Sequence, residues 1–584
     1  MNEATTAPPT AAFELMSRLA NETPNGRARE AALRAAPLAI EKSTSLVEYR
    51  SSGELLIIDQ FKSVGDEERA LHLANELGDR LSCTVLISGL ASTGVKEDAE
   101  PALAARGVRV AVGRLAQLTG YLGNFAADLS TPSGPVKLTQ HLGMAKQHFD
   151  LVLDLTVPAH FRQETLPLGY YAPGRDTMAL TRALDELPDL MGEFEKPKYF
   201  AYNPDICAHG GSGLIGCRRC LDACPTLAIG SLGDSIEVNP YLCQGAGVCA
   251  TACPSGAITY AYPSTSDLLD GLRAMLKAYR QTGGRHACIL FHDREKSKAL
   301  LERIAARLPE QVIPVEVEEA GSVGLDTWLA TLAYGACQVA VLGAGATPSV
   351  LNELRAQHAY ATAILEGMGY PAEQLQLIDS EDDDAVLETL AKLPEFSPPR
   401  PAGFAGLDEK RTTIRLAVDH LHAHAPAPTA VATLPRGAPF GEIEVDGSGC
   451  TLCMACASIC PHAALSDGGG ELPQLLFDEW NCVQCGLCET ACPEDVITLV
   501  PRFLYDAEMR RATRTLNEAE PFCCVSCGKP FATKNMMAKM QAKLKGHWMY
   551  QKAETRRRME MCDECRVKDM LMQEGGLMDA HKEP

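Results

Sequence analysis

Residues 450–461 read Cys450-Thr451-Leu452-Cys453-Met454-Ala455-Cys456-Ala457-Ser458-Ile459-Cys460-Pro461. Residues 482–493 repeat this order, with Cys482, Cys485, Cys488 and Cys492 followed by Pro493. The two-residue gaps let one short loop present three thiolates to a cube-shaped [4Fe–4S] cluster, and the proline turns the fourth cysteine away from that loop. Two complete copies make chance or a pair of zinc sites a poor explanation. The spacing therefore predicts two iron–sulfur clusters within residues 441–503.

The fourth cysteine of such a run binds the cluster of the other run, as in bacterial ferredoxins. We therefore assign one [4Fe–4S] cluster to Cys450, Cys453, Cys456 and Cys492. We assign the second to Cys482, Cys485, Cys488 and Cys460.

An earlier region, residues 201–262, repeats the pattern in a degenerate form. Leu214 occupies the first ligand position of the run that continues with Cys217, Cys220 and Cys224. A glycine-rich loop, 208–213, is long enough to fold back and bring Cys207 to the same cluster. The second run has Ala246 at its second ligand position. One cluster then has four thiolates, from Cys207, Cys217, Cys220 and Cys253, whereas the other has three, from Cys243, Cys249 and Cys224.

Three arrangements fit the three-cysteine site. It holds a [3Fe–4S] cluster, which needs only three thiolates, or a [4Fe–4S] cluster with a fourth ligand from elsewhere, such as His209, a free cysteine or water. In the third arrangement it holds no cluster. The sequence thus predicts three [4Fe–4S] clusters and leaves the fourth site open.

A fifth metal site is predicted near the C-terminus, at residues 520–570. Two pairs with a two-residue gap, Cys524 with Cys527 and Cys562 with Cys565, flank a basic helical spacer. Such pairs suit a tetrahedral zinc ion, and Gly528-Lys529-Pro530-Phe531 resembles the turn of a zinc ribbon or treble clef. A further iron–sulfur centre or free thiols are the alternatives.

The cysteines also indicate the compartment. Of the 23 cysteines, 19 fall in these motifs, and Cys83, Cys288, Cys337 and Cys523 are left over. No secretory signal precedes them, and clustered cysteines in a reducing compartment are metal ligands or redox groups. The net charge of −21 argues against a general nucleic-acid binder and against docking on anionic lipid, and no apolar run is long enough to span a membrane. We expect a cytoplasmic protein.

Strands alternate with helices in two regions, 49–200 and 265–395, which predicts two α/β domains with parallel sheets. Residues 1–48 and 571–584 are predicted to be tails, with at most one helix in the first. Residues 396–440 are rich in Pro and Ala and are predicted to be a linker, interrupted by an amphipathic helix at Lys410–Leu421.

The basic stretch from Lys529 to Arg558 is unusual for an acidic chain. A solvated helix face, a docking patch for an acidic partner, or a nucleic-acid contact would each explain it, the last being the weakest.

Residues 207–262 and 441–503 resemble dicluster bacterial ferredoxin domains. The segments Val312-Ile313-Pro314-Val315-Glu316-Val317, Ala320-Gly321-Ser322-Val323 and Gln338-Val339-Ala340-Val341-Leu342-Gly343 resemble the delta subunit of methyl-viologen-reducing hydrogenase. In that family the domain carries a cysteine-bound iron–sulfur centre and hands electrons between subunits. Here Glu319 and Ala344 stand where cysteines are usual, so we expect this centre to be lost. Similar multi-domain ferredoxin proteins occur beside cytoplasmic formate dehydrogenases.

We therefore expect an iron–sulfur protein that relays single electrons between a cytoplasmic dehydrogenase, with formate dehydrogenase as a candidate, and another redox carrier. No flavin, molybdenum or nicotinamide motif stands out, so we expect no independent catalysis. The alternatives are a redox or docking subunit of a stable enzyme complex, a maturation or delivery factor for a metalloenzyme, and a redox-responsive regulator.

Overall fold

The structure is a computed structural model that describes residues 18–35, 45–61, 67–89, 107–392, 398, 400–470 and 472–572. It contains two α/β domains with parallel sheets, two cysteine-rich domains and a small C-terminal module. None of the described helices combines the length and apolar character needed to cross a bilayer. The parts of the predicted tails at 1–17, 36–44 and 573–584 lie outside the described residues.

The first helix, α1 (Pro24–Ala35), packs against the second α/β domain. Arg29 is fully buried there, and its guanidinium donates to the carbonyl oxygens of Pro309 (3.1 Å) and Val312 (3.3 Å). Ala28 and Ala32 join the core of that domain, because their small side chains allow close approach. The predicted tail over residues 1–48 allowed for one helix, but its flexibility is wrong for residues 24–35, because this helix belongs to the core.

The first α/β domain covers residues 46–197. Its strands are β1 (Leu46–Ser51), β2 (Glu54–Phe61), β3 (Ser82–Gly89), β4 (Arg109–Val112), β5 (Leu115–Thr119), β6 (Ala126–Thr131), β7 (Gly134–Lys137), β8 (Leu151–Asp154), β9 (Tyr170–Tyr171) and β10 (Gly192–Pro197). Its helices are α2 (Glu67–Leu77), α3 (Leu138–His141) and α4 (Thr177–Glu186). The parallel sheet has the order β4-β3-β2-β8-β9. An antiparallel sheet, β5-β6-β7, and a ribbon of β1 with β10 were not anticipated.

The first cysteine-rich domain follows. Its strands are β11 (Phe200–Tyr202), β12 (Gly210–Gly211), β13 (Leu214–Ile215), β14 (Ile229–Leu232), β15 (Ser235–Val238) and β16 (Ile258–Tyr260), and its helices are α5 (Arg219–Ala223) and α6 (Val248–Ala252). Strands β11 and β16 pair antiparallel, as do β14 and β15. The cysteines lie in the loops and short helices between these ribbons.

The second α/β domain has a four-stranded parallel sheet. Its strands are β17 (Cys288–Asp293), β18 (Val312–Val317), β19 (Gln338–Leu342) and β20 (Leu375–Ile378), and its helices are α7 (Thr265–Gln281), α8 (Lys298–Ile304), α9 (Leu325–Ala333), α10 (Pro348–Glu366) and α11 (Asp383–Ala391). The strand order is β18-β17-β19-β20. The strands are buried along most of their length because helices cover both faces of the sheet.

Residues 400–440 are part of the core rather than a linker. Helix α12 (Lys410–Ala423) buries Ile414, Ala417 and Val418 against α9. Strand β21 (Val431–Thr433) pairs with a strand of the second cysteine-rich domain. The linker prediction for 396–440 is therefore wrong in the described part. Proline-rich stretches flank the helix, and its apolar face is covered by residues distant in the sequence.

The second cysteine-rich domain covers residues 441–518. Its elements are β22 (Gly441–Val445), α13 (Ala455–Ser458), β23 (Leu465–Asp467), β24 (Gln474–Phe477), α14 (Leu487–Ala491), β25 (Ile497–Leu504), α15 (Ala507–Arg511) and β26 (Arg514–Glu518). Its two sheets have the orders β21-β25-β22 and β23-β24-β26.

The C-terminal module, residues 521–572, begins with a hairpin. It consists of β27 (Pro521–Cys523), β28 (Pro530–Thr533), α16 (Lys534–Leu544), α17 (Ala553–Met559) and α18 (Asp563–Met572). Its small core contains Cys524, Met561 and Cys562.

Candidate metal centres

Two cavities in the second cysteine-rich domain are lined by the predicted ligand sets. The first is lined by Cys450, Cys453, Cys456 and Cys492 among apolar neighbours. The second is lined by Cys460, Cys482, Cys485 and Cys488. Each cavity thus has four converging thiols and an apolar wall, which fits a [4Fe–4S] cluster.

Three ligand loops share an uncommon backbone conformation. In each loop the residues two and four positions after the first cysteine have positive φ angles. These are Leu452 (54°) and Met454 (60°) after Cys450, Gln484 (53°) and Gly486 (85°) after Cys482, and Gly245 (80°) and Gly247 (70°) after Cys243. Residues other than glycine rarely adopt this region. The loop around Ala246 therefore keeps the backbone of a cluster-binding loop, although it lacks one thiol.

A short hairpin brings Cys207 to the first cysteine-rich domain's other cysteines. Strands β12 and β13 pair, and the amide of Cys217 donates to the carbonyl oxygen of Ala208 at 3.0 Å. The side chain of His209 bridges the same segments, with Nδ1 2.8 Å from the carbonyl oxygen of Cys217. The glycine-rich loop therefore folds back and places Cys207 beside Cys217.

The thiols of this domain gather into two sets. Burial raises the pKa of Cys220, and the neighbouring Cys253, Cys217 and Cys207 raise it further. Burial also raises the pKa of Cys249, with added contributions from Cys243, Cys224 and Cys220. These neighbours match the two ligand sets that the spacing indicates. Cys220 and Cys249 lie where the two sets approach each other.

His209 is occupied by other partners and is not available as a ligand for the three-cysteine site. Its Nδ1 faces Cys217, and its Nε2 lies 2.7 Å from Ser231 Oγ. The four leftover cysteines lie in other elements: Cys83 in β3, Cys288 in β17, Cys337 before β19 and Cys523 in β27. Of the arrangements considered from sequence, a cluster with three thiolates, a cluster with water as the fourth ligand and a site without a cluster stay open.

Both α/β domains enclose the three-cysteine site. Lys196 Nζ donates to the carbonyl oxygens of Cys243 (2.5 Å) and Tyr241 (3.1 Å), and burial lowers its pKa to about 8 against the opposing effect of Cys243. On the other side, Thr251 Oγ1 donates to the carbonyl oxygen of Gly321 at 2.7 Å. These contacts join the site to strand β10 and to the turn that follows β18.

The two cysteine-rich domains pack directly against each other. A Cβ atom added to Gly216 would lie 2.5 Å from Leu487 Cγ, and one added to Gly211 would lie 3.0 Å from Ile459 Cγ1. Burial raises the pKa of Cys485 to about 12, and among its thiol neighbours is Cys217 of the other domain. We call this contact region the junction. It brings the set containing Cys217 next to the set containing Cys485.

Arg411 of α12 bridges the junction. Its guanidinium donates to the carbonyl oxygens of Pro254 (3.2 Å), Pro439 (2.9 Å) and Cys482 (2.8 Å). Burial lowers its pKa to about 10, and Cys482 opposes this shift, so the group stays charged at neutral pH. Sequence reasoning missed Arg411 because its only signal was a position on an amphipathic helix inside a presumed linker.

The C-terminal cysteines form a much tighter group. The sulfur atoms of Cys524, Cys527, Cys562 and Cys565 all lie within 4.8 Å of one another, and those of Cys527 and Cys562 are 3.7 Å apart. A tetrahedral zinc ion with bonds of about 2.3 Å places its sulfur ligands about 3.8 Å apart. Burial opposes ionisation of Cys524, but backbone hydrogen bonds from Cys562, Cys527 and Ser526 outweigh it and lower the pKa to about 6. The group fits one tetrahedral ion.

Comparison with known proteins identifies the cysteine-rich domains. A family model described as a 4Fe-4S dicluster domain matches residues 215–257 and 449–496. The ferredoxin-like protein in the nif region of Bradyrhizobium diazoefficiens is 33% identical over 67 residues, which are 10% of this chain and 86% of that protein. The chain belongs to the family of 4Fe-4S dicluster ferredoxins. We refer to residues 200–260 and 441–518 as the first and second dicluster domains.

Two further relatives of this dicluster protein are named as components of redox enzymes. Hydrogenase-4 component A of Escherichia coli is 48% identical over 58 residues, 10% of this chain and 25% of that protein. A subunit of the Na⁺-translocating ferredoxin:NAD⁺ oxidoreductase complex of Acetobacterium woodii is 40% identical over 53 residues. Those residues are 9% of this chain and 15% of that protein, so the chain spans a quarter or less of both relatives.

The second α/β domain lies outside both segments that the family model matches. Glu319, at one expected cysteine position, pairs with Lys296 at 2.7 Å, and Ala344, at the other, is buried. The resemblance of this domain to the hydrogenase delta subunit stays a prediction.

Replacing Ala246 with cysteine is expected to complete the ligand set of the three-cysteine site. The loop already has the ligand-loop backbone, so the new thiol would occupy the position equivalent to Cys453 and Cys485. We expect a sharp paramagnetic resonance signal near the free-electron position in the oxidised wild-type protein and its loss in the variant. An Ala201→Cys variant, which adds an exposed thiol in β11, serves as the control and should retain the signal. A signal that persists unchanged in Ala246→Cys would contradict the prediction that this site holds a [3Fe–4S] cluster because Ala246 occupies the missing ligand position.

Proposed function

We propose that the protein is an iron–sulfur electron-transfer subunit that relays single electrons between a dehydrogenase and another redox carrier. Bound clusters would supply reversible one-electron chemistry, with potentials set by hydrogen bonds to the sulfurs and by exposure. The chain's part is to hold the thiolates, exclude water and keep the sites close together. No catalysis by this chain alone is proposed.

The observation that carries the proposal is the direct contact between the dicluster domains. The three-cysteine set adjoins the set of Cys207, Cys217, Cys220 and Cys253 through Cys220 and Cys249. That set meets the next across the junction, where Cys217 neighbours Cys485. Cys456 in turn neighbours Cys488 across the second dicluster domain. In this proposal each ligand set therefore adjoins the next, as a relay requires, and we call this succession of adjacent sets the line of cluster sites.

Backbone and side-chain donors at the ligand sulfurs support a redox role. The amides of Leu452 and Ala464 donate to the sulfurs of Cys450 (3.4 Å) and Cys460 (3.2 Å), and Gln484 Nε2 donates to Cys482 Sγ at 3.4 Å. Such hydrogen bonds stabilise negative charge on the sulfurs and favour the reduced state. In this proposal the C-terminal four-cysteine site binds structural zinc and shapes a docking module.

The proposed partner is a subunit of a redox enzyme. The two relatives named as components of a hydrogenase and of a ferredoxin:NAD⁺ oxidoreductase complex support this class of partner. Within this class, formate dehydrogenase is our specific candidate, from the resemblance to ferredoxin proteins that occur beside it.

Anaerobic purification from the native cell at low salt, with mass spectrometry of the bound proteins, tests the proposal. A dehydrogenase subunit retained at a fixed ratio, together with reversible one-electron reduction of the purified protein, is the expected result. A protein that lacks reducible clusters would refute the relay. A partner enzyme that needs this protein only while it is assembled, and not during turnover, would instead support a maturation factor.

A further inference from the structure

The C-terminal module is docked beside one end of the line of cluster sites. Thr533 Oγ1 donates to the carbonyl oxygen of Thr451 at 2.9 Å, and Asn535 Nδ2 donates to that of Cys450 at 3.0 Å. Lys539 Nζ donates to the carbonyl oxygen of Gly449 at 2.6 Å and pairs with Glu494 at 3.0 Å. The first turns of helix α16 are thus anchored on the ligand loop that contains Cys450 and Cys453.

The outer surface of this module is strongly basic. Between residues 535 and 559 the sequence has seven lysines and arginines and a single acidic residue, Glu554. Five of these side chains are exposed and form no ion pair within the part of the chain that the structure describes: Lys543, Lys545, Lys552, Arg556 and Arg557. We call these five residues the basic surface. Its local charge is opposite to the net charge of −21 of the whole chain.

Large apolar side chains are exposed among these charges. Trp548 is 77% exposed and Met549 is 50% exposed, although tryptophan is usually covered in a folded protein. An exposed tryptophan and exposed arginines in one small module have the composition of a binding hot spot, since these residue types dominate the energy of protein interfaces. The combination indicates a protein-binding surface more than a solvated helix face.

The two ends of the line differ in access. The three-cysteine end is enclosed by Lys196, by Tyr241 and by the turn at Gly321 of the second α/β domain. At the other end Cys453 is exposed, and the module contacts the neighbouring residues 448–451 and Glu494. Lys543 and Lys545 lie at the C-terminal end of α16, whose 11 residues span about 16 Å and whose first turns contact the ligand loop beside the exposed end.

We propose that the basic surface, with Trp548, docks the acidic face of a protein electron carrier at the exposed Cys453 end of the relay. Opposite charges on the two proteins would increase the association rate and orient the carrier before contact. Nucleic acid is disfavoured as the occupant, because the rest of this chain is acidic and would repel a polyphosphate. This inference rests on the proposed relay function, which supplies the reason for a carrier to dock here.

Charge reversal at two arginines, Arg556→Glu with Arg557→Glu, tests the proposal. Flavodoxin, a small acidic one-electron carrier, serves as the probe. In stopped flow, the protein reduced with dithionite passes one electron to oxidised flavodoxin, whose flavin takes up one proton from solvent. We expect the second-order rate constant at low salt to fall at least about tenfold in this variant, and its salt dependence to flatten. Trp548→Ala should weaken binding of flavodoxin with little change in the salt dependence.

The matched control is Arg175→Glu with Arg182→Glu, which makes the same change of charge on exposed positions at and just before α4. Iron and zinc contents equal to wild type verify that each variant is folded. Binding of flavodoxin to the oxidised protein, measured by calorimetry, separates the two hypotheses, because it requires no electron transfer. Loss of binding only in the Arg556 and Arg557 variant supports docking even if the relay fails. Equal rates and affinities in both variants would overturn the proposal, as would binding of a duplex oligonucleotide through these arginines with flavodoxin unaffected.

Discussion

Replacing Arg411 with glutamine is expected to uncouple the two dicluster domains. The guanidinium satisfies carbonyl oxygens on both sides of the junction, at Pro254 and at Cys482, and also contacts the ring of Phe440 at 4.6 Å. Each hydrogen bond from a charged donor contributes about 1.5–3 kcal/mol, and buried acceptors left unpaired cost free energy. We expect a loss of about 3 kcal/mol or more in the free energy of unfolding. It should appear as a lower thermal midpoint.

The same variant should also alter the reduced protein. Paramagnetic resonance of the fully reduced sample is expected to lose the broadening that arises from magnetic coupling between the domains. Because a positive charge next to Cys482 stabilises the reduced state, the midpoint potential of that site should fall. Arg280→Gln is the matched control: Arg280 donates to the carbonyl oxygen of Tyr334 at 2.8 Å inside the second α/β domain. Arg280→Gln should lower stability without changing coupling or potential. The same spectral change in both variants would show that the junction has no special role.

Changing Cys488 to alanine is expected to remove or convert the cluster at the middle of the relay. Cys488 lines the second cavity and adjoins both Cys485 and Cys456. A [4Fe–4S] cluster with one thiolate removed loses either one iron or all four. We therefore expect the iron content to fall by about one to four atoms per chain. Electron transfer between the first dicluster domain and the Cys453 end should slow sharply.

Cys288→Ala is the control for this prediction. Cys288 is fully buried at the start of β17, and burial raises its pKa, as expected for a core thiol that binds no metal. Its loss should leave the iron content and the cluster spectra unchanged. If both variants lose the same amount of iron, the division of cysteines between ligands and core residues is wrong.

The motifs alone were sufficient to predict the dicluster domains. Thiolate spacing is a local property: a loop such as 450–456 presents its three sulfurs whatever the rest of the chain does. The parallel sheets were also predictable, since the strands β18, β19 and β20 are short apolar runs bounded by turns and helices. Both regions in which the sequence alternates strands with helices, 49–200 and 265–395, contain a parallel sheet.

Elements whose partners are distant in the sequence were harder to predict. Helix α1 and helix α12 have modest apolar faces between proline-rich segments, and each is stabilised by a surface that only the folded chain provides. Cysteine spacing likewise could not decide which group, if any, is the fourth ligand of the three-cysteine site. Only the fold shows that both nitrogens of His209 have other partners.

The sequence by itself determined which cysteines group together and hence what kind of chemistry the chain performs, because metal ligation depends on a few residues close in the chain. Tertiary structure alone decided that the two dicluster domains pack against each other, that Arg411 bridges them, and that the three-cysteine site is enclosed while Cys453 is exposed. The packing of the two domains depends on contacts between residues more than 100 positions apart, such as Pro254 with Arg411. The enclosure of the three-cysteine site depends on contacts between residues 45 to 70 positions apart. Packing between domains creates such contacts, and no local pattern encodes it.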